Sequence, residues 1–267
     1  MCALRVPVND YTMNIVIKCC CHLYRTNEAF AVFGWNFKRG IIPDVVTFNT
    51  LLNGLVLEHK ILEAEIFFKK LIKDKLCEPN VVMYSTMIKG LCKIGNNIIA
   101  IQLLRLMDEK GYKPNVVTYN TVIDSLCKDK MIDDAFKLFK EMVFQRGISP
   151  DVITYNCLID GLCNLGRWEV ASKMLQEMLD VGISPNVHTF NILVDAFCKD
   201  GRSRRKRRMF QCCHVCLEGF CSTGIGSCGD ARKIFDEMHC KRSNAKGEMF
   251  YMSLALEDVI SLDDLRS

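Results

Sequence analysis

A segment of about 35 residues recurs along this chain and constrains its fold more than any other feature. The clearest copy, Val116–Asp151, has the sequence VVTYNTVIDSLCKDKMIDDAFKLFKEMVFQRGISPD. Prolines recur at the same spacing, at Pro43, Pro79, Pro114, Pro150 and Pro185. An asparagine or serine and a cysteine keep the same period. A fixed period of this size predicts stacked repeats whose neighbours bury a shared core.

This period divides the chain into repeats and flanking segments. The complete repeats span 10–44, 45–80, 81–115, 116–151 and 152–186, and a sixth covers 187–201 before it is interrupted. Residues 1–9 form a short N-terminal segment, 202–228 a basic insertion rich in Cys and Gly, 229–241 a displaced second helix of the last repeat, and 242–267 a tail.

Each repeat has the pattern of two amphipathic helices joined by a polar turn. In the clearest copy, Gly147 lies where a helix end favours a left-handed residue, Pro150 stops the helix, and Asp151 can cap the next one. A lone hairpin cannot cover its own apolar faces. The predicted fold class is therefore an all-α helix-turn-helix repeat solenoid, a superhelix of five complete repeats plus one interrupted repeat.

Two of the copies carry one extra residue, 45–80 and 116–151, and we expect a turn to absorb it. In the first of these, Lys75 and Leu76 stand where the other copies have glycine, which predicts a looser or longer turn. In the copy at 10–44, Asn36 replaces the usual Met or Leu, so this repeat is expected to be an imperfect cap.

Composition limits the partners and the cellular compartments that are compatible with this sequence. A net charge of +4 permits a nucleic-acid partner without requiring one. The 16 cysteines follow the repeat rather than forming pairs, which favours a reducing compartment with few disulfides. No apolar run is long enough to span a membrane. The segment before the first repeat is too short for a transit peptide, so we expect either that targeting is absent or that the chain lacks its natural beginning.

Packing does not explain the polar residue at the fifth position of each repeat. These residues are Asn14, Asn49, Ser85, Asn120, Asn156 and Asn191. Asparagine is unfavourable inside a helix because its amide competes for backbone hydrogen bonds. One interpretation is that these amides hydrogen-bond adjacent helices. The favoured interpretation is a row of amides that line one groove, where each can donate to and accept from a nucleobase edge.

The last residue of each repeat is also polar. The series is Asp44, Asn80, Asn115, Asp151 and Asn186. A helix N-cap after a proline turn explains these residues by itself. The same side chains could also orient the fifth-position amide or touch the same base.

The whole unit resembles the pentatricopeptide repeat of the plain type, with T-[YF]-N, LC-K, an alanine, F-x-E-M and G-x-x-P-[DN] in order. The resemblance covers 10 to about 201 and resumes weakly at 229–238. It implies single-stranded RNA binding with one base per repeat, selected by the fifth and last residues. It also implies a mitochondrial or plastid protein with a role in RNA processing, stability or translation. Some close relatives in the family restore fertility.

Base preferences follow from this resemblance. The pairs Asn14–Asp44 and Asn120–Asp151 resemble uridine-selecting pairs, and Ser85–Asn115 resembles an adenosine-selecting pair. The pairs Asn49–Asn80 and Asn156–Asn186 suggest a pyrimidine, cytidine being favoured for the former. The predicted target is 5′-U-Y-A-U-Y-3′, and Asn191 has no clear partner.

Two further series are expected to contact RNA. The second residues of the repeats would sandwich bases, namely Val46, Val82, Val117, Ile153 and His188. Ordinary packing between repeats is an equally good explanation of the apolar members. The lysines after the in-phase cysteines could meet phosphates, namely Lys93, Lys128 and Lys199. A solvated lysine is the alternative.

The insertion has several interpretations. The run Arg202–Arg208 is interpreted as a loop with incidental RNA attraction, and a phosphate patch or nuclear-targeting signal is the alternative. The pair Cys213 and Cys216, with neighbouring Cys and His residues, only loosely matches zinc-ligand spacing, so a chance cluster is favoured and no metal is expected. The insertion could also be non-native sequence joined into a repeat.

We therefore expect a non-enzymatic RNA-binding protein without a cofactor. No deaminase pattern of His-x-Glu with Cys-x-x-Cys is present. The alternatives are a protein-binding scaffold of the tetratricopeptide type and a truncated remnant with weak RNA binding.

Overall fold

The computed structural model describes residues 10–40 and 42–200. The chain divides into two compact units, Met1–Asp129 and Lys130–Ser267, and each has its own arrangement of helices. The predictions for 1–9, for the basic insertion at 202–228 and for the segments 229–241 and 242–267 concern residues outside the described part.

The first unit is built from consecutive helix hairpins. Its helices are α1 (Asp10–His22), α2 (Thr26–Lys38), α3 (Val45–Leu57), α4 (Ile61–Lys73), α5 (Val81–Lys93), α6 (Asn97–Glu109) and α7 (Val116–Lys128). Helix α1 packs on α2, α3 on α4, and α5 on α6. The odd-numbered helices α1, α3, α5 and α7 pack side by side in chain order, so this unit is a stack of hairpins.

The second unit repeats the same arrangement. Its helices are α8 (Ile132–Lys140), α9 (Val152–Asn164), α10 (Trp168–Asp180) and α11 (Val187–Asp200). Helix α8 continues directly into a π-helical turn, Glu141–Gln145. Helix α9 packs on α8, α10 and α11. No β-strand occurs among the described residues, and the predicted all-α class of helix-turn-helix repeats is confirmed.

From α3 onward, the first helix of each hairpin starts at a side-chain cap. Asp44 Oδ1 accepts a hydrogen bond of 2.7 Å from the backbone N–H of Thr47, three residues into the new helix. Asn115 and Asp151 cap α7 and α9 in the same way, at 3.0 and 2.9 Å. Each cap accepts a hydrogen bond from a backbone N–H of the first turn, which has no acceptor within the helix. Such caps stabilise a protein by about 1 kcal/mol.

Small residues allow neighbouring hairpins to pack closely. Gly90 in α5 faces Val56, and a Cβ atom built on this glycine would lie 2.9 Å from Val56 Cγ2. Gly54 in α3 makes the same kind of close approach to Cys21. On the second helices, Ala64 and Ala100 are fully buried. A Cβ atom at Gly54 or Gly90 would require the facing side chain, Cys21 or Val56, to shift.

The two longer repeats accommodate their extra residue differently. In the repeat at 45–80, the loop before Pro79 is longer, and Lys75 adopts the left-handed conformation (φ 51°) that Gly111 adopts in the next repeat. This part of the expectation is confirmed. The lengthened loop borders a cavity of about 410 Å³, whose walls include Tyr84 and Tyr112.

In the repeat at 116–151, the expectation that a turn absorbs the extra residue is wrong. The insertion lies inside the second helix, as the π-helical turn Glu141–Gln145. The Arg146 N–H donates to the carbonyl of Glu141, five residues back, at 3.1 Å. One inserted residue widens a helix turn in this manner without ending the helix. Gly147 keeps the predicted left-handed conformation, with φ 64°.

Candidate functional site

The fifth-position residues lie on the first helices but differ in accessibility. Asn14, Asn49 and Ser85 are half-buried, whereas Asn120 and Asn156 are only 6% and 3% exposed. The last member of the series, Asn191, is exposed. The amides are therefore not a uniformly open row, and two of them are covered by protein.

Threonines of the following repeat hydrogen-bond two of these amides, Asn14 and Asn156. The Thr47 hydroxyl at the third position of one repeat donates to Asn14 Oδ1 in the preceding repeat, at 2.6 Å. The Thr189 hydroxyl donates to Asn156 Oδ1 at 2.7 Å in the second unit. The amides thus hydrogen-bond adjacent helices, which was the less favoured interpretation of their recurrence. Contact with a base through the remaining amide N–H groups is compatible with these bonds.

The fifth and last residues of a repeat meet, as the sequence argument required. Asn156 Nδ2 lies 3.5 Å from Asn186 Oδ1. The Asn14 side chain interacts with the carboxylate of Asp44 and helps to lower its pKa. In these two repeats, the residues expected to select one base form one polar pair at the start of a first helix.

The charge state of Asp44 follows from its surroundings. Burial alone would raise the pKa of this carboxyl, but hydrogen bonds from the Thr47 hydroxyl and backbone amide, and from the Asn14 side chain, outweigh it. The pKa of Asp44 is therefore held below its usual value. At neutral pH the carboxylate is ionised and can only accept hydrogen bonds.

The middle repeats of the first unit show a different set of contacts. Ser85 Oγ lies 3.2 Å from Thr118 Oγ1, so a hydroxyl pair replaces the amide–hydroxyl pair. Asn49 has Met83 at the third position of the next repeat, and its Oδ1 is 3.3 Å from the hydroxyl of Thr86 instead. Four of the third-position threonines precede [YF]-N in the repeat, yet sequence reasoning gave them no role: Thr47, Thr118, Thr154 and Thr189.

The second-position residues project from the protein. Val46, Val82, Val117 and Ile153 are 53–65% exposed, and His188 is also exposed. Packing between repeats therefore does not account for their apolar character. Each lies three residues before a fifth-position residue, one turn away on the same face of its helix. An exposed branched side chain beside each polar pair is suited to contact with the flat face of a ligand.

The lysines that are expected to contact phosphate differ in their ion pairing. Lys93 and Lys128 both end a first helix and are exposed. Lys128 Nζ forms an ion pair of 2.5 Å with Asp124 one turn earlier, which competes with any phosphate. The side chain of Lys199 lies outside the described part of the structure.

Three of the cysteines that keep the repeat period, Cys92, Cys127 and Cys163, belong to the packing rather than to a reactive site. Cys127 and Cys163 are buried free thiols. Burial raises the pKa of the Cys92 thiol to about 11, so it is protonated at neutral pH and a poor metal ligand. No cluster of metal-ligating side chains occurs within 10–40 and 42–200. No helix in the same ranges is long and apolar enough for a membrane span.

Comparison with protein families identifies the repeat. A model of the PPR repeat family matches residues 1–57, 79–128, 114–164 and 150–199. A model of the pentatricopeptide repeat domain matches residues 36–90. Together the first matches cover more than half of the chain.

Named relatives carry the same repeat. A putative pentatricopeptide repeat-containing protein of Arabidopsis thaliana is 32% identical over 175 residues, which is 66% of this chain and 34% of that protein. A putative mitochondrial pentatricopeptide repeat-containing protein of the same plant is 48% identical over 58 residues, 22% of this chain and 10% of the relative. The chain thus matches about a third or less of the length of these relatives.

Solved structures show the same fold. The pentatricopeptide repeat protein PPR10 in complex with an 18-nucleotide psaJ RNA element has a TM-score of 0.64 and 24% identity, covering 74% of this chain and 29% of that one. The crystal structure of PPR10 from maize gives a TM-score of 0.59 at 26% identity, covering 98% of this chain and 38% of the other. The PPR domain of Arabidopsis protein-only RNase P 1 in complex with tRNA gives 0.58 at 16% identity, over 71% of this chain and 99% of that domain.

Proposed function

This chain belongs to the pentatricopeptide repeat family, and from that premise we propose that it binds single-stranded RNA along its first helices. Each complete repeat contacts one nucleotide through its fifth and last residues, while the exposed second residue packs against the base. The observation that carries the proposal is the contact of Asn14 with Asp44 and of Asn156 with Asn186, each beside an exposed second-position side chain.

The chemistry of these pairs suits pyrimidines. An ionised Asp44 accepts a hydrogen bond from the N3–H of uracil, while the adjacent Asn14 amide donates to a ring carbonyl. An asparagine at the last position, as at Asn186, can donate to N3 of cytosine, which is an acceptor. This chemistry supports the pyrimidine positions of the target that the resemblance implies, 5′-U-Y-A-U-Y-3′.

The proposed setting is an organelle. Two Arabidopsis relatives are named as mitochondrial, which supports a mitochondrial location over a plastid one. There the protein coats a short transcript segment and thereby affects RNA processing, stability or translation without catalysing a reaction. A role in restoring fertility is a narrower form of the same proposal.

A second candidate function rests on a different surface. Leu62 and Ile66 on α4, and Ile98 on α6, are large apolar side chains that are two-thirds or more exposed. These residues lie on second helices, away from the polar pairs on the first helices. They favour a protein-binding scaffold, which could operate beside RNA binding or in place of it.

Fluorescence anisotropy with short labelled RNAs tests the proposal. RNA containing UCAUC should bind more tightly than RNA in which the central adenosine is replaced by guanosine. Affinity should fall as salt rises, because phosphate contacts release counterions. Equal affinity for the two RNAs contradicts base selection, and no binding to either contradicts the RNA-binding function itself.

A further inference from the structure

We propose that the threonine at the third position of a repeat is a positioning residue for base selection. It fixes the orientation of the fifth-position amide in the preceding repeat, so that the amide NH2 group faces the last residue and the nucleotide. This inference rests on the proposed RNA-binding function. It concerns Thr47 and Thr189. In the repeat at 45–80, which is followed by Met83 instead of a threonine, the inference is that the Asn49 amide is held less firmly.

The arrangement around Thr47 shows the geometry most clearly. Its hydroxyl lies 2.6 Å from Asn14 Oδ1 and 2.7 Å from Asp44 Oδ1. Its backbone N–H also donates to Asp44 Oδ1, at 2.7 Å. One threonine therefore contacts both residues that are proposed to select the same base.

The chemistry of these groups leaves one orientation for the amide. The carboxylate of Asp44 can only accept, so the side of Asn14 that faces it must be the NH2 group, which donates to it. The amide oxygen then faces the Thr47 hydroxyl, whose single proton is shared between Asn14 Oδ1 at 2.6 Å and Asp44 Oδ1 at 2.7 Å. Rotating the amide by half a turn would place its oxygen against the carboxylate and its NH2 against the hydroxyl.

The second unit repeats this arrangement independently. Thr189 donates to Asn156 Oδ1 at 2.7 Å, while its distance to Asn186 Oδ1 is longer, 3.2 Å. The NH2 group of Asn156 again faces the last residue, at 3.5 Å from Asn186 Oδ1. Thr189 also accepts from the backbone N–H of Asn186, at 3.1 Å, which directs its single proton toward Asn156.

The repeat at 45–80 lacks this device. Met83 occupies the third position of the next repeat, and a methionine has no hydroxyl to donate. The nearest hydroxyl is that of Thr86, 3.3 Å from Asn49 Oδ1. That hydroxyl is only 2.8 Å from the carbonyl oxygen of Val82, which is the stronger acceptor for its single proton. The amide of Asn49 is therefore held less firmly than that of Asn14 or Asn156.

Amide orientation decides which pyrimidine fits. An NH2 group matches the ring carbonyl O4 of uracil, whereas an amide oxygen matches the N4 amino group of cytosine. A repeat with a fixed amide discriminates between them, and a repeat with a rotating amide accepts both. The second nucleotide of the target is thus the most degenerate pyrimidine position among those read by Asn14, Asn49 and Asn156.

Replacing the hydroxyl at Thr47 tests the positioning role. Thr47→Val keeps the shape and the backbone cap but removes the donor, whereas Thr47→Ser keeps the donor. Thr50→Val is the matched control, because the Thr50 hydroxyl bonds only within its own helix, to the Val46 carbonyl at 2.7 Å. The measurement is the ratio of dissociation constants for RNAs with uridine or cytidine at the first nucleotide, with the melting temperature recorded for every variant.

We expect Thr47→Val to reduce the preference for uridine over cytidine about fivefold, the effect of losing one typical hydrogen bond. Thr47→Ser should keep the wild-type ratio, as should Thr50→Val. In the second unit, Thr189→Val should change the ratio at the fifth nucleotide and leave the first unaffected. This second variant keeps the test decisive if Thr47→Val does not fold.

A gain of selectivity is expected from Met83→Thr. The wild type should bind uridine and cytidine at the second nucleotide within about twofold, and the variant should separate them by about fivefold. The direction should match the preference found at the fifth nucleotide, which is read by an equivalent pair of asparagines.

The outcomes separate this inference from the proposed function. Equal loss of affinity for uridine and cytidine RNAs in Thr47→Val, or an unchanged ratio, overturns the positioning role while RNA binding stands. If the wild type binds RNA but shows no base preference, the positioning role is likewise overturned while RNA binding stands. Absence of wild-type binding to single-stranded RNA overturns both proposals.

Discussion

Ser125 in α7 donates a hydrogen bond of 2.6 Å to Asn97 Oδ1 in α6, and both side chains are buried. Ser125 stands where Gly90 stands one repeat earlier, and Asn97 stands where Ile61 stands. The hydroxyl therefore occupies space that glycine leaves open in the neighbouring pair of hairpins, and the amide supplies its partner. A polar pair has replaced an apolar contact at one interface between repeats.

This pair predicts a coupled stability effect. Ser125→Ala should lower the free energy of unfolding by about 1–3 kcal/mol, because the buried Asn97 oxygen loses its donor. Replacing both residues, as Asn97→Ile with Ser125→Gly, should recover most of the loss, since it recreates the Ile61–Gly90 contact. Urea unfolding of the single and double variants measures the coupling. Additive losses would show that the two residues act independently.

A second stability prediction concerns Asn36 in the first repeat. Its side chain is 5% exposed, and its Oδ1 has no hydrogen-bond partner among the described residues. Fully buried apolar residues, Leu71 and Met107, occupy the equivalent position in the next two hairpins. Asn36→Met should therefore stabilise the protein by about 1–2 kcal/mol.

Thermal unfolding should show this gain as a rise in melting temperature of about 2–4 °C per kcal/mol. Leu71→Met is the control, because it exchanges one apolar side chain for another of similar volume. A lower melting temperature for Asn36→Met would mean that the amide has a partner or a role that the burial pattern conceals.

The sequence was sufficient to predict the helices but not every detail of the repeats. Periodic apolar residues and proline turns fix where each hairpin falls, because helix periodicity and chain breaks are local properties. The position of an inserted residue is not local. Both 45–80 and 116–151 contain one extra residue, but the first holds it in the loop after Lys75 and the second in a π turn at Glu141–Gln145.

The candidate site was predicted in part for a similar reason. The fifth and last residues are recognisable from their polarity and phase, and their contact is visible in Asn156 and Asn186. The burial of Asn156 was not predictable, because this amide is bonded by Thr189 from the following repeat. The threonine itself is ordinary near a helix start, so its second hydrogen bond across repeats leaves no separate signal in the sequence.

The exposed second-position residues give a prediction about RNA affinity. Val117→Ala should weaken RNA binding several-fold, by less than the ~1–3 kcal/mol per base found for aromatic stacking. It should hardly change the melting temperature, because the side chain is already 65% exposed. Ile66→Ala is the matched control, since Ile66 is 68% exposed but lies on a second helix. Equal effects on RNA affinity would remove the case for base sandwiching.

The lysines should differ in their contribution to salt dependence. Lys93→Gln should reduce the slope of log affinity against log salt by about 0.7, the value for one phosphate on a single strand. Lys128→Gln should reduce it less, because the Lys128 ammonium is paired with Asp124. Anisotropy titrations at several salt concentrations measure both slopes. Identical slopes for the wild type and Lys93→Gln would place this lysine outside the RNA path.

A single exchange, Asp151→Asn, tests the central claim most directly. The variant should fold normally, because Asn80 and Asn115 already cap helices at the same position of the repeat. Its pairing chemistry changes from an acceptor-only carboxylate to an amide that can donate. The measurement is the affinity of wild type and variant for RNAs with uridine or cytidine at the fourth nucleotide. The account predicts a preference for uridine in the wild type and for cytidine in the variant; an unchanged preference would contradict it.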